Sequence, residues 1–206
     1  MVVVANVLRQ TVAWSATLSG AVIAGALFAG VSGVLFGDDL ASIVLEIDTV
    51  VEKMSQQLDQ SMAAPSGTMM LAISSWMIAL STIAGLFVSR WWQAILYNPG
   101  GFQQEFHGIR LDSKLGLALA VLMGAGVLLP DDYRIWVQVA SIPLLVAGLA
   151  LVHCWVKVKA KGIQWLVFVY LGLIVYSPII MALLVLVGLA DSFMNLRTRL
   201  ASDTHR

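Results

Sequence analysis

The sequence predicts an all-α fold: a polytopic membrane helix bundle of about five transmembrane helices, with one amphipathic helix and an interfacial elbow. Three observations predict it. Of 206 residues, 59% are hydrophobic and only 12% are charged, whereas a soluble domain is about 25% charged. Five apolar stretches approach the ~20 residues that a helix needs to cross a hydrocarbon core of ~30 Å. No alternating barrel pattern occurs, and a lipid-exposed backbone must then satisfy its polar groups within helices.

The first span, at about 11 to 36, carries Gly20, Ala24, Gly25, Ala29, Gly30 and Gly33. The third, at about 113 to 129, carries Gly116, Ala120 and Gly124. Small residues let helix backbones approach closely where lipid removes the hydrophobic drive to associate, so these two helices are expected at the centre of one 206-residue domain. The second span covers about 67 to 89 and the fourth about 134 to 156. The fifth run, about 163 to 190, exceeds one perpendicular crossing and contains Pro178. A tilted helix kinked at Ser177-Pro178 is the simplest account; two half-helices meeting there is the alternative.

Between the first two spans, about 39 to 62, apolar residues recur at helical spacing: Leu40, Ile43, Val44, Ile47, Val50, Val51, Met54 and Leu58. The other face holds Asp39, Glu46, Asp48, Glu52 and Asp59 against Lys53 alone, and such a face is repelled by anionic headgroups. The expectation is a helix lying flat over its own bundle; a partner-binding helix is the alternative.

The elbow is "RWWQAILYNPGGFQQEFHGIRL", residues 90 to 111. Trp91, Trp92, Tyr97 and Arg90 follow the second span as interface anchors. Pro99 pushes Asn98 out of helical geometry, Gly100-Gly101 permit a reversal, and Phe102, Phe106 and Ile109 then share one helical face. Trp92, Tyr97, Asn98, Glu105, His107 and Arg110 are the candidate ligand or partner contacts, a mixture of donors, acceptors and aromatic walls suited to a small-molecule pocket. The three histidines lie on separate segments and predict no metal site; no catalytic motif is present, and neither an enzyme nor a bound cofactor is expected. The single Cys154 cannot form an internal disulfide, zero net charge disfavours nucleic acid as a partner, and the start carries no recognisable removable signal. No charged residue sits near the centre of a span, which disfavours a proton-coupled pump.

Lysine and arginine are retained on the cytoplasmic side of short loops. Arg90, Arg110, Lys114, Lys157, Lys159 and Lys161 share one face, which is expected to be cytoplasmic, while the opposite loops hold Lys53 among acidic residues and Arg134 at a span edge. Five crossings would, however, put Arg197, Arg199 and Arg206 on the acidic outer face; either those arginines are tolerated there or the Pro178 run doubles back.

On the elbow motif, on "HCWVKVKAKGIQWLVFVYLGL" and on "GLADSFMNLRTRL", the chain resembles the bacterial inner-membrane family called domain of unknown function 2232. Members of that family are longer at the N-terminus, so the chain looks like a shortened member or a fragment. The resemblance implies a multi-pass protein of the bacterial inner membrane, and through a distant similarity to the substrate-binding subunits of energy-coupling-factor transporters it implies a transport-related subunit without energy-coupling chemistry. The expected partners are the lipid bilayer and a membrane or cytoplasmic protein. A structural or assembly partner of another membrane complex is the alternative function.

Overall fold

The computed structural model describes residues 2–11 and 13–202, and these form helices without a strand. In chain order they are α1 (Val2–Thr11), α2 (Trp14–Leu35), α3 (Gly37–Leu58), α4 (Gly67–Tyr97), α5 (Gly101–Gly108), α6 (Ser113–Val127), α7 (Asp131–Val158), α8 (Gln164–Val175), α9 (Ser177–Met194) and α10 (Leu196–Ser202). Four of them, α2, α4, α7 and α9, are long and apolar enough to cross a membrane, and α6 and α8 are shorter apolar helices. The chain is a multi-pass, all-α membrane bundle. Many of its outward side chains are large and apolar, including Leu27, Phe28, Leu122, Phe168 and Leu186, as a lipid-facing surface requires.

The centre of the bundle is α7, rather than the glycine-rich first and third spans. It packs against α9, α4, α6 and α2, and residues from Val139 to Leu151 supply most of its buried side chains. The tightest approach is between α7 and α9: a Cβ on Gly148 would collide with the Leu184 carbonyl, and one on Gly188 with the Leu144 carbonyl. The predicted small-residue faces are used in part. A Cβ on Gly25 would lie 2.7 Å from the Ser75 carbonyl and one on Gly116 2.9 Å from Ser192 Cβ, but Gly20, Gly30 and Gly124 meet nothing within 4 Å. A stripe of small residues therefore marks one close pairing and does not report which helix has neighbours on every side.

The expected fifth span is divided. At Tyr176 the backbone leaves helical geometry (φ −125°, ψ 44°) for one residue, and α9 restarts with Pro178 in its first turn, where a missing N–H costs nothing. The two pieces fold against each other, since a Cβ on Gly172 would sit 3.1 Å from Ile180. The start of α8 lies beside the end of α7, with Trp165 and Trp155 rings 5.6 Å apart. The end of α9 lies beside Arg110, which donates to the carbonyls of Asp191 and Ser192. Both ends of the α8–α9 run thus reach the elbow side, and the chain doubles back at Tyr176. The doubling-back removes the conflict for Arg197, which lies on the elbow side, donating to the carbonyls of His107 and Ile109; Arg206 lies outside the described residues.

The acidic helix does not lie over the bundle. A one-residue break at Phe36 (φ −122°, ψ 27°) separates α3 from α2, and α3 buries no residue. Leu40 and Val44 reach Gly67 at the start of α4, whereas Ile43, Val50, Met54 and Leu58 remain exposed. The helical periodicity is as predicted, and Ile47 and Val51 are half-buried beside Leu40 and Val44; the other half of the apolar face has no covering surface among the described residues.

Replacing Gly148 with Leu should prevent α7 and α9 from closing and abolish a cooperative melt in detergent. Gly20→Ala, which meets nothing, should leave the melting temperature unchanged or raise it, because alanine favours a helix by ~0.5–1 kcal/mol.

Candidate functional site: the elbow and the two cavities it frames

The elbow is built by local chemistry and then locked by packing. α4 runs past the expected end at 89 to Tyr97, so Arg90, Trp91 and Trp92 stand on the helix. Asn98, ahead of Pro99, takes extended-like geometry (φ −152°, ψ 78°), and Gly100 takes φ +86°, a conformation that glycine alone adopts without strain. Gly101 packs against the Asn98 side chain. On α5, Phe106 meets Phe87 edge-on at 5.4 Å and His153 edge-on at 5.2 Å, while Phe87 meets Trp14 at 5.1 Å. Edge-to-face ring pairs add ~0.5–1.5 kcal/mol each beyond area burial. The elbow is therefore docked onto α4 and α7 at once, with Trp14 of α2 behind Phe87. Arg90 adds a fork to the Glu105 carboxylate, Nε to Oε2 at 3.1 Å, with Nη2 donating to the other oxygen.

Beyond α5 the chain descends along α7. Ile109 and Leu111 are fully buried, and Asp112 caps α6 by accepting from the Leu115 amide at 2.9 Å. Arg110, between them, donates from Nε to the Asp191 carbonyl and from Nη2 to the Ser192 carbonyl, both at 2.9 Å. These carbonyls belong to the last turn of α9, where the Asp191 carbonyl also accepts from the Asn195 amide at 3.1 Å, and a cation at a helix C-terminus is favourable.

Asp191 is wholly buried, and its carboxylate accepts from the Leu196 amide at 2.8 Å and from Arg197 Nε at 3.0 Å. Asn195, in left-handed geometry (φ 46°), turns the chain so that Arg197 points back. Besides the carboxylate, Arg197 donates to the carbonyls of His107 and Ile109 and reaches that of Ala147 at 3.5 Å. One guanidinium thus ties α9, the elbow and α7.

Two cavities flank this framework. The larger, of about 1030 Å³, opens between α1, the start of α2, the end of α4 and the elbow, and Asn6, Arg9, Arg90, Glu105 and Arg110 are among its walls. The smaller, of about 450 Å³, lies between α4, α5, α7 and α8 and is walled by Phe87, Phe106, His107, His153 and Tyr170. There the His153 Nδ1–H donates to the Leu149 carbonyl at 2.9 Å, which leaves Nε2 to accept the Tyr170 hydroxyl proton at 3.2 Å. Burial first, then the charge of Lys157 and the neighbouring His153 and Arg197, hold the His107 imidazole below its ordinary pKa.

Of the six residues that the sequence singles out, Glu105 and Arg110 line the larger cavity and His107 the smaller. Trp92, Tyr97 and Asn98 are exposed and wall neither, so the six do not converge on one pocket. Sequence reasoning missed the pairing of Asp191 with Arg197, the place of Arg9 in a cavity wall, and the meeting of His153 with Tyr170. It also took separation along the chain to keep His107 and His153 apart, whereas their ring centres are 6.5 Å apart; no group of three or more metal-binding side chains occurs among the described residues. The available signal was Asp191 itself, an acid at the end of an apolar run with an arginine six residues on.

Asp191→Asn or Arg197→Ala should each cost ~3–5 kcal/mol of stability, because each leaves a buried charge or its donors without a partner. The double substitution should cost less than the sum of the two, as a double-mutant cycle of unfolding free energies would show. Acid should also destabilise the fold through His107. Its folded pKa lies below the ordinary 6.5, so the unfolded chain takes up the proton first and stability falls as pH drops through 6.5 toward the lower, folded value. Melting temperatures at pH 7.5 and 5.5 should diverge in wild type and diverge less in His107→Gln. No protein-family model, curated protein or solved structure matches the chain, so its function is to be read from this geometry.

Proposed function

We propose that the protein is a membrane-embedded solute-binding, transport-related subunit that lacks energy-coupling chemistry of its own and presents its elbow to the cytoplasm of a bacterium. The observation that carries this reading is the larger cavity: about 1030 Å³, at the upper end of the ~300–1,000 Å³ of small-molecule sites, lined by charged and polar groups at the edge of an apolar bundle. Most of the framework that holds it, including the ring cluster and the Arg90–Glu105 fork, packs the elbow against rigid helices.

The cytoplasmic placement follows from charge. Among the described residues, Arg9, Arg90, Arg110, Lys114, Lys157, Lys159, Lys161, Arg197 and Arg199 belong to the elbow side, against Lys53 and Arg134 on the other. Retention of basic residues on the cytoplasmic side gives the orientation; the resemblance to domain of unknown function 2232 gives the inner membrane. Any energy source would be a partner docking on that side.

A second reading, as an assembly partner of another membrane complex, is favoured by one observation, the uncovered apolar stripe of α3. Met54→Glu should then abolish recovery of a stoichiometric membrane partner by affinity purification without lowering the melting temperature of the isolated chain.

For the leading reading, a thermal-shift screen of chemically varied anionic, neutral and cationic metabolites should yield at least one solute that stabilises the purified protein. A broad screen without a hit would remove the case for a binding subunit. In a Cys154→Ser background, Gln103→Cys should resist a membrane-impermeant thiol reagent in intact cells and react after lysis, while Gln57→Cys should react in both. Labelling at 103 in intact cells would reverse the orientation.

A further inference from the structure

We propose that the larger cavity recognises a phosphate group carried on a small or amphiphilic molecule, with Arg110 as its fixed anchor and Arg9 as its second cation. This rests on the binding reading above and names the ligand chemistry of that same site. Among the described residues, three guanidinium groups, those of Arg9, Arg90 and Arg110, stand among the walls with one carboxylate, Glu105. Arg90 spends its donors on Glu105 and on the Gln93 side-chain oxygen, so the fork cancels one charge of each sign. Two positive charges remain.

Arg110 differs from an ordinary surface arginine. It is half-buried, its orientation is set by two main-chain carbonyls at 2.9 Å, and no ion pair joins it to an acid among the described residues. A cation held in place without a counter-ion retains donors for an anion and loses little entropy on binding one. Arg9 is exposed at the mouth. Two net positive charges match a phosphate monoester, which carries about −1.5 to −2 at pH 7. A carboxylate would leave one charge uncompensated. Trp14, Leu86 and Ile109 supply apolar wall, which weakens local screening and strengthens the attraction. The cavity exceeds what phosphate alone would fill, and its remainder suits the molecule that bears the phosphate.

The phosphate can belong to a soluble monoester or to a lipid headgroup, and the same protein tests both. The full chain is placed in nanodiscs of pure phosphatidylcholine and melted across a titration of inorganic phosphate, with chloride at matched ionic strength as control. It is then melted in discs containing phosphatidic acid. A soluble ligand predicts stabilisation by inorganic phosphate and not by chloride; a lipid ligand predicts stabilisation only by phosphatidic acid. In either case Arg110→Gln should abolish the shift, and Arg9→Gln, which removes an exposed side chain, should raise the half-saturating concentration about tenfold, the worth of ~1.4 kcal/mol. Should Arg110→Gln fail to fold, the Arg9→Gln result decides. No shift with either form of phosphate, or shifts untouched by both substitutions, would overturn the proposal. If neither phosphate acts but a neutral or cationic metabolite stabilises the chain, the binding reading stands and the phosphate assignment falls; if nothing stabilises it, both fall.

Discussion

The Asp191–Arg197 pair holds the architecture together because it is where three separate stretches of chain must agree. A wholly buried carboxylate is costly unless its charge and lone pairs are met, and here they are met by the Leu196 amide and the Arg197 guanidinium. The remaining donors of Arg197 fall on carbonyls of the elbow and reach α7. The end of α9 therefore cannot leave the elbow side without stranding a charge and several acceptors together. From that constraint follow the fold-back at Tyr176, the shared side of the two ends of the α8–α9 run, and the placing of Arg110 over the last turn of α9. The pair is a register pin, fixing which helix end meets which, as buried polar groups do where packing alone would accept several arrangements.

The elbow is secured by a second, independent device. Its rings interlock with α4 and α7, Trp14 of α2 backs Phe87, and the Arg90–Glu105 fork closes its outer side. The fork is about one-third exposed, with side-chain accessibilities of 38% and 36%, so its direct stabilisation is small. Its larger effect is electrostatic neutralisation: by occupying the only acid among the described residues of the larger cavity's walls, it leaves the field there to Arg9 and Arg110.

Much of the fold was legible in the sequence, because burial in lipid imposes length and hydropathy that can be read one segment at a time. The turn at Asn98-Pro99-Gly100 was legible for a similar reason, being dictated by proline sterics and a positive φ. What sequence could not supply was pairing. The small residues of the first and third spans were visible, but the close contact of Gly148 with Gly188 depends on two helices meeting from distant parts of the chain. The periodicity of α3 was visible, yet periodicity shows that a helix has an apolar face and says nothing about whether a neighbour lies against it. In the site, Glu105, His107 and Arg110 were picked out by chemistry, but the side each one faces is set by partners from distant parts of the chain: Arg90 on α4, His153 on α7 and the last turn of α9. Arg197 looked like an error of topology until Asp191 stood beside it.

The fold-back at Tyr176 gives the molecule two thicknesses. At a rise of ~1.5 Å per residue, the 22 residues of α2 span ~33 Å, whereas the 15 of α6 span ~22 Å and the 12 of α8 ~18 Å. α2 matches a hydrocarbon core of ~30 Å, whereas α6 and α8 fall short of it. Lipid beside a short helix must shorten, tilt its chains or be replaced by another protein, and each of these carries a cost that grows with the mismatch. The turn between α8 and α9, with Ile174 and Tyr176 exposed, is a place where a thinner membrane or a neighbouring helix relieves that cost.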